Sequence, residues 1–162
     1  MQHSSKTICL VANDAFSLLN FRKELIATLV SQGHRVVAVT PAECSFLLGQ
    51  NIKDRFSDLG ADLVPCDFAR VGTNLTTDLK SMRTLYKIFR HLKPDVVLNY
   101  TVKPTIYGSL AAASAGVKVI ASNITGVGSI ITARTGLKNK ILKYVLFSLY
   151  WASLRRNAVV FF

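Results

Sequence analysis

The side chains best equipped for chemistry fall in four short stretches, each behind a β-rich apolar run. Behind TICLVA (residues 7–12) come Asn13, Asp14 and Phe16, with Asn20 and Arg22 on the helix expected next. Arg70, Gly72 and Asn74 lie in DFARVGTNL (67–75), while Tyr100, Thr101, Lys103 and Tyr107 end or follow DVVLNY (95–100). Thr125, Gly126 and Gly128 follow VKVIAS (117–122). Such a set suits anions and hydroxyls: arginine and lysine make charge-assisted hydrogen bonds, and glycine lets backbone approach a ligand closely. Lys103 directly precedes Pro104, a favoured first helical residue. An ammonium and a helix N-terminus are therefore expected to converge on one phosphate-sized spot. Taken singly, each of these residues reads equally well as a capped loop or a satisfied turn; the cluster is the signal.

Other chemistries lack their motifs. There is no G-x-x-x-x-G-K-[ST] to cradle a triphosphate, and NDAFSLLN after the first apolar run contains no glycine for a dinucleotide fingerprint. Gly126-Val127-Gly128 starts a G-x-G-x-x pattern, yet Ile131 stands at its third glycine and no acid follows to hold a ribose. His3, His34 and His91 have no metal-ligand spacing, so no metal is expected. No G-x-S-x-G elbow supports a serine nucleophile.

The elements that must position these loops alternate. Apolar runs at 7–12, 35–39, 62–66, 95–100, 117–122 and 158–162 have the length of buried strands. Between the first two, Leu18, Phe21, Leu25 and Leu29 recur at helical spacing, and Gly33 closes that helix. A second helix is expected over about 44–59. Leu79, Met82, Leu85, Tyr86, Phe89 and Leu92 form the apolar stripe of a third, beside a solvated stripe of Lys80, Arg83, Lys87 and Arg90. Small residues over 104–115 predict a helix packed closely on a sheet, and 137–156 a last one. Regular β-α alternation with right-handed crossovers gives an α/β, Rossmann-like, doubly wound parallel sheet with helices on both faces, as a single domain over 1–162. Ligands of such sheets sit at the carboxyl ends of the strands.

Composition sets outer bounds. With 50% hydrophobic residues and ordinary glycine and proline numbers over 162 residues, the chain is neither disordered nor low in complexity. Cys9, Cys44 and Cys66 are scattered and odd in number, which reads as a reducing compartment. The formal net charge is +11, and all nine acidic residues lie at or before Asp95. Residues 96–162 thus carry eight basic side chains and no carboxylate, implying an anionic partner there: phosphate, membrane surface or nucleic acid. Lys138, Lys140 and Lys143 precede the run YVLFSLYWA (144–152), and Arg155 and Arg156 follow it. That run is too short to span a bilayer, but its basic flanks and its Phe147, Tyr150 and Trp151 suit an interfacial helix on an anionic membrane. A helix buried because it is apolar all round is the competing reading.

The segments NFRKELIATLVSQGHRV, FARVGTNLTTDL, PDVVLNYTVKPTIYGSLAA and NITGVGSIIT resemble the amino-terminal half of a family-four glycosyltransferase, of the kind that serves bacterial polysaccharide, capsule and lipid-linked oligosaccharide assembly. The resemblance runs over nearly the whole chain. It implies one half of a GT-B fold and a retaining, metal-independent transfer with no cofactor, a nucleotide sugar being the donor substrate. It also implies that this half holds the acceptor, an undecaprenyl-diphosphate-linked saccharide. The nucleotide sugar and the E-x(7)-E acids would belong to a carboxyl-terminal domain or partner chain absent from this sequence. Asn13, Asp14 and Tyr100 would then line the reaction centre, and Phe16, Asn20, Arg22, Arg70, Asn74, Thr101, Lys103, Tyr107, Thr125, Gly126 and Gly128 would bind substrate or phosphate. The protein would be cytoplasmic and peripheral at the inner face of the cell membrane. Two other readings stay open: half of a sugar-nucleotide epimerase, and a non-catalytic basic α/β domain that binds nucleic acid. Nucleic acid is the less expected partner, because neither aromatics interleaved with the basic residues nor a recognition element is seen apart from the final helix.

Overall fold

The computed structural model describes residues 4–44, 47, 51–68, 75–124 and 137–161. Six strands, β1 (Thr7–Val11), β2 (Arg35–Thr40), β3 (Asp62–Pro65), β4 (Val96–Tyr100), β5 (Val119–Asn123) and β6 (Val159–Phe161), form one sheet in the order β3-β2-β1-β4-β5-β6. Every pairing is parallel, with Ile8 beside both Val36 and Val96 in the central register. The order reverses between β1 and β4, and there the chain leaves neighbouring strands in opposite directions and opens a crevice.

Alternation along the strands feeds two cores. Ile8, Leu10, Val36 and Ala38 face α1 (Ala15–Phe21), α2 (Lys23–Ser31) and α3 (Ile52–Ser57), where Leu18, Ile26 and Phe56 are fully buried. Cys9, Val11, Val37 and Val97 face the other layer, built by α4 (Leu75–Leu92), a π-helical turn (Pro104–Gly108), α5 (Ser109–Ala115) and α6 (Leu137–Leu154). A strand buried on both faces must be apolar throughout, which is why TICLV and RVVAV do not alternate with polar residues.

Three expected elements differ. The helix expected from Leu18 to Gly33 is two helices, because Arg22 leaves helical geometry (φ −128, ψ 11) and caps the second. Its guanidinium Nη1 donates to the Phe21 carbonyl, which the break has released from the helix ladder, at 2.8 Å. Gly33 does close α2: at φ +81 its N–H donates to Val30 and the His34 N–H to Leu29, satisfying the last carbonyls. Of the helix expected over about 44–59, the described residues show α3 at Ile52–Ser57, which begins there because Asn51 is extended and its side chain accepts the Lys53 N–H. In α4, Leu79 and Tyr86 are exposed and not part of the buried stripe, which runs instead through Asp78, Ser81, Leu85 and Phe89.

Candidate functional site

At the reversal point the loop after β1 and the loop after β4 are joined. Thr101 sits in left-handed backbone at φ 69, costly for a β-branched residue, and its Oγ1 donates to Asn13 Oδ1 at 3.1 Å. Asp14 is extended and accepts the Ser17 N–H at 2.8 Å, capping α1. The expected reaction-centre residue Asp14 thus holds its own helix, while Asn13 reaches across the crevice.

Tyr100 closes β4 and is buried against the α1–α3 core. The Arg22 guanidinium lies over its ring, 4.8 Å from the centroid. Burial pushes the Tyr100 phenol above its ordinary pKa, and the Arg22 charge and hydrogen bond pull it partly back. At neutral pH it is therefore a hydroxyl donor and not a base. Beside it lies a cavity of about 320 Å³ lined by Arg22, Leu25, Leu98, Tyr100, Asn123 and Phe161 among others. Its lining joins apolar Leu25, Leu98 and Phe161 to Arg22 and polar strand residues.

The residue that sequence reasoning missed is Asp78. Its carboxylate is buried, with 3% of the side chain exposed; Lys103 Nζ donates to Oδ1 at 2.8 Å and Tyr107 Oη to Oδ2 at 3.0 Å. Lys103, expected to meet an incoming phosphate, has its ammonium on this carboxylate with 19% of the side chain exposed. An ammonium has three donor positions, and among the described residues Asp78 takes one of those on Lys103. Tyr107 is raised by burial first and by the Asp78 charge second, so it too stays protonated and donates. The register of α4 held a signal: Asp78 precedes Met82, Leu85 and Phe89 by four, seven and eleven residues, a core-facing position.

Beneath the site a polar network was equally unforeseen. Asn99 Nδ2 donates to Ser109 Oγ, Asn157 Nδ2 donates to the same oxygen, and Ser122 Oγ donates to Asn157 Oδ1 at 2.7 Å. It ties β4, β5 and α5 to the turn after α6. A Cβ on Gly108 would run into the Asn99 side-chain oxygen, which explains glycine in the π-helical turn. Phe16 packs edge-on against Phe21, and Asn20 is exposed near the end of α1. Arg70, Asn74, Thr125, Gly126 and Gly128 lie outside the described residues. Tyr150, expected at a membrane, turns inward onto the core with its hydroxyl buried, because it lies on the same side of α6 as buried Ser153. Among the described residues no three His, Cys, Asp or Glu side chains group as metal ligands, and no helix is long and apolar enough to cross a membrane.

A family model described as glycosyl transferase 4-like matches residues 7–160. No curated protein matches the sequence. Among solved structures, MurG of Acinetobacter baumannii is similar at TM-score 0.60 and 16% identity, over 96% of this chain and 40% of that one. The glycotransferase of kitacinnamycin is similar at TM-score 0.57 and 20% identity, over 94% and 38%. A UDP-N-acetylglucosamine 2-epimerase is similar at TM-score 0.56 and 14% identity, over 98% and 42%. At these identities the likeness is one of fold, a Rossmann-like half of the GT-B type, and the chain spans less than half the length of each.

Proposed function

The chain belongs to the glycosyl transferase 4-like family, and from that premise we propose that it is the acceptor-binding half of a retaining, metal-independent glycosyltransferase. The sugar would pass from a nucleotide sugar to a saccharide carried on undecaprenyl diphosphate, in bacterial polysaccharide or glycan assembly at the inner face of the cell membrane. A carboxyl-terminal domain or partner chain would hold the donor.

The observation that carries this reading is the tie between Thr101 and Asn13 across the strand reversal. A β-branched residue held in left-handed backbone persists only where its surroundings over-determine it, and such strain concentrates at ligand sites. Around it the chain offers hydroxyl and amide donors at Tyr100 and Asn13 for a sugar. Arg22 and Lys103 supply cations for a diphosphate. The contribution is positioning: an acceptor hydroxyl held in line with a donor gains much of its rate from prepaid orientation.

Binding tests this. Calorimetry on residues 1–162 should show a diphosphate-linked saccharide binding and a UDP-sugar not binding, with no sugar transfer by the chain alone. Arg22→Ala, and Lys103→Ala combined with Asp78→Asn so that no carboxylate is buried alone, should each weaken acceptor binding roughly tenfold or more. Lys118→Ala, at the far end of α5, should change nothing. Nucleotide-sugar binding without acceptor binding, or epimerisation or transfer by the chain alone, would overturn the assignment.

A further inference from the structure

We propose that the outer face of α6 is a docking surface for an anionic lipid bilayer. This deepens the lipid-linked reading above, and its test uses no sugar substrate, so either can fail without the other. Tyr144, Phe147 and Trp151 are 76%, 51% and 62% exposed. At 100° per residue they share one stripe with Arg155, whereas Leu149, Tyr150 and Ser153 occupy the opposite side and pack inward. The helix is therefore not buried for being apolar all round: its inward half satisfies the core, and the three aromatics are surplus to it.

The charge identifies the occupant. Lys138, Lys140 and Lys143 come before the stripe in sequence, and Arg155 and Arg156 end it, with no Asp or Glu among residues 96–162. The Arg155 guanidinium lies over the Trp151 ring, 4.4 Å from its centroid, so a cation is held at the edge of the apolar patch. From Tyr144 to Trp151 the stripe is about 10 Å long, as seven residues of α-helix rise. An exposed aromatic stripe with an arginine held beside it and a lysine-rich segment just before it in sequence fits the headgroup level of a membrane, where rings enter the acyl boundary and basic groups meet phosphates. A protein partner would not require cations alone, and a nucleic-acid site would add a basic groove that tracks the backbone.

The test uses the whole chain with vesicles of phosphatidylglycerol and phosphatidylcholine in equal parts, read by sedimentation and by the emission of Trp151, the one tryptophan in the sequence. Expected are binding with a blue shift of that emission, and binding at least tenfold weaker to phosphatidylcholine alone. Arg155→Gln and Arg156→Gln should each lower partitioning about fivefold at low salt. Tyr144→Ser with Phe147→Ser should lower it at least tenfold without changing the melting temperature. Four results would overturn the proposal. Equal binding to both vesicle types would do so, as would partitioning that the variants leave unchanged. A blue shift with single-stranded DNA but none with vesicles would make the stripe a nucleic-acid surface. A large loss of thermal stability in the Tyr144/Phe147 variant would show the stripe to be covered by protein.

Discussion

Breaking the Lys103–Asp78 pair is a direct test of how the site is held. Lys103→Met keeps most of the side-chain volume and removes the charge, leaving a carboxylate with only 3% of its surface exposed. Removing one partner of a buried pair typically costs about 3–5 kcal/mol, mainly from the charge left behind. Here the Tyr107 hydroxyl still donates to Oδ2, which retains one hydrogen bond of about 1.5–3 kcal/mol to a charged group. The expected loss is therefore about 3 kcal/mol, or roughly 6–12 °C in melting temperature for a domain of this size. Asp78→Asn should cost less, about 1–2 kcal/mol, because the Lys103 ammonium is partly exposed and can turn to water. Measured by urea unfolding, the two should be coupled, the double variant losing about 2 kcal/mol less than the sum of the singles. A loss below about 0.5 kcal/mol for Lys103→Met, or strict additivity, would refute the pairing and return Lys103 to the role of a free anion-binding side chain.

Thr101→Asn should stabilise by about 0.5–1 kcal/mol in urea unfolding, since asparagine tolerates left-handed backbone better than threonine; a loss would mean φ 69 carries no strain. Gly108→Ala should cost about 2–3 kcal/mol, because the added methyl meets the Asn99 side chain inside a buried network, and Ser114→Ala on the exposed side of α5 should cost almost nothing in the same assay. Burial pushes the thiols of Cys9 and Cys66 up from 9.0 to about 12. The unfolded chain therefore loses those protons first: stability is full below about pH 9 and falls between 9 and 12, at about 1.4 kcal/mol per pH unit for each thiol. Urea midpoints that stay level from pH 9 to 11 would contradict that burial, as would rapid labelling of either thiol in the native state.

The sequence by itself determined the order of the strands along the chain and their parallel pairing, and so which end of the sheet carries the candidate loops. Continuous apolar runs such as TICLV and RVVAV admit only burial on both faces, and glycine at position 33 supplies the left-handed residue that ends α2. The aromatic and basic content of α6 was equally legible, as was the capping capacity of Asp14. Which side of a helix faces inward was not. In α4 the apolar count alone placed Leu79 and Tyr86 in the stripe, and it took Lys103 and Tyr107, packed from the π-helical turn, to draw Asp78 inward and rotate them out. Tyr150 and Trp151 are neighbours in the chain with the same interfacial chemistry; contact with the sheet layer sent one in and left the other out. The break at Arg22 and the left-handed Thr101 likewise depend on partners 78 and 88 residues away in sequence, Tyr100 and Asn13. Periodicity carries information only about residues within a few turns of each other, whereas a buried charge or a strained backbone is settled by what the rest of the chain brings against it, and that is decided in the tertiary structure alone.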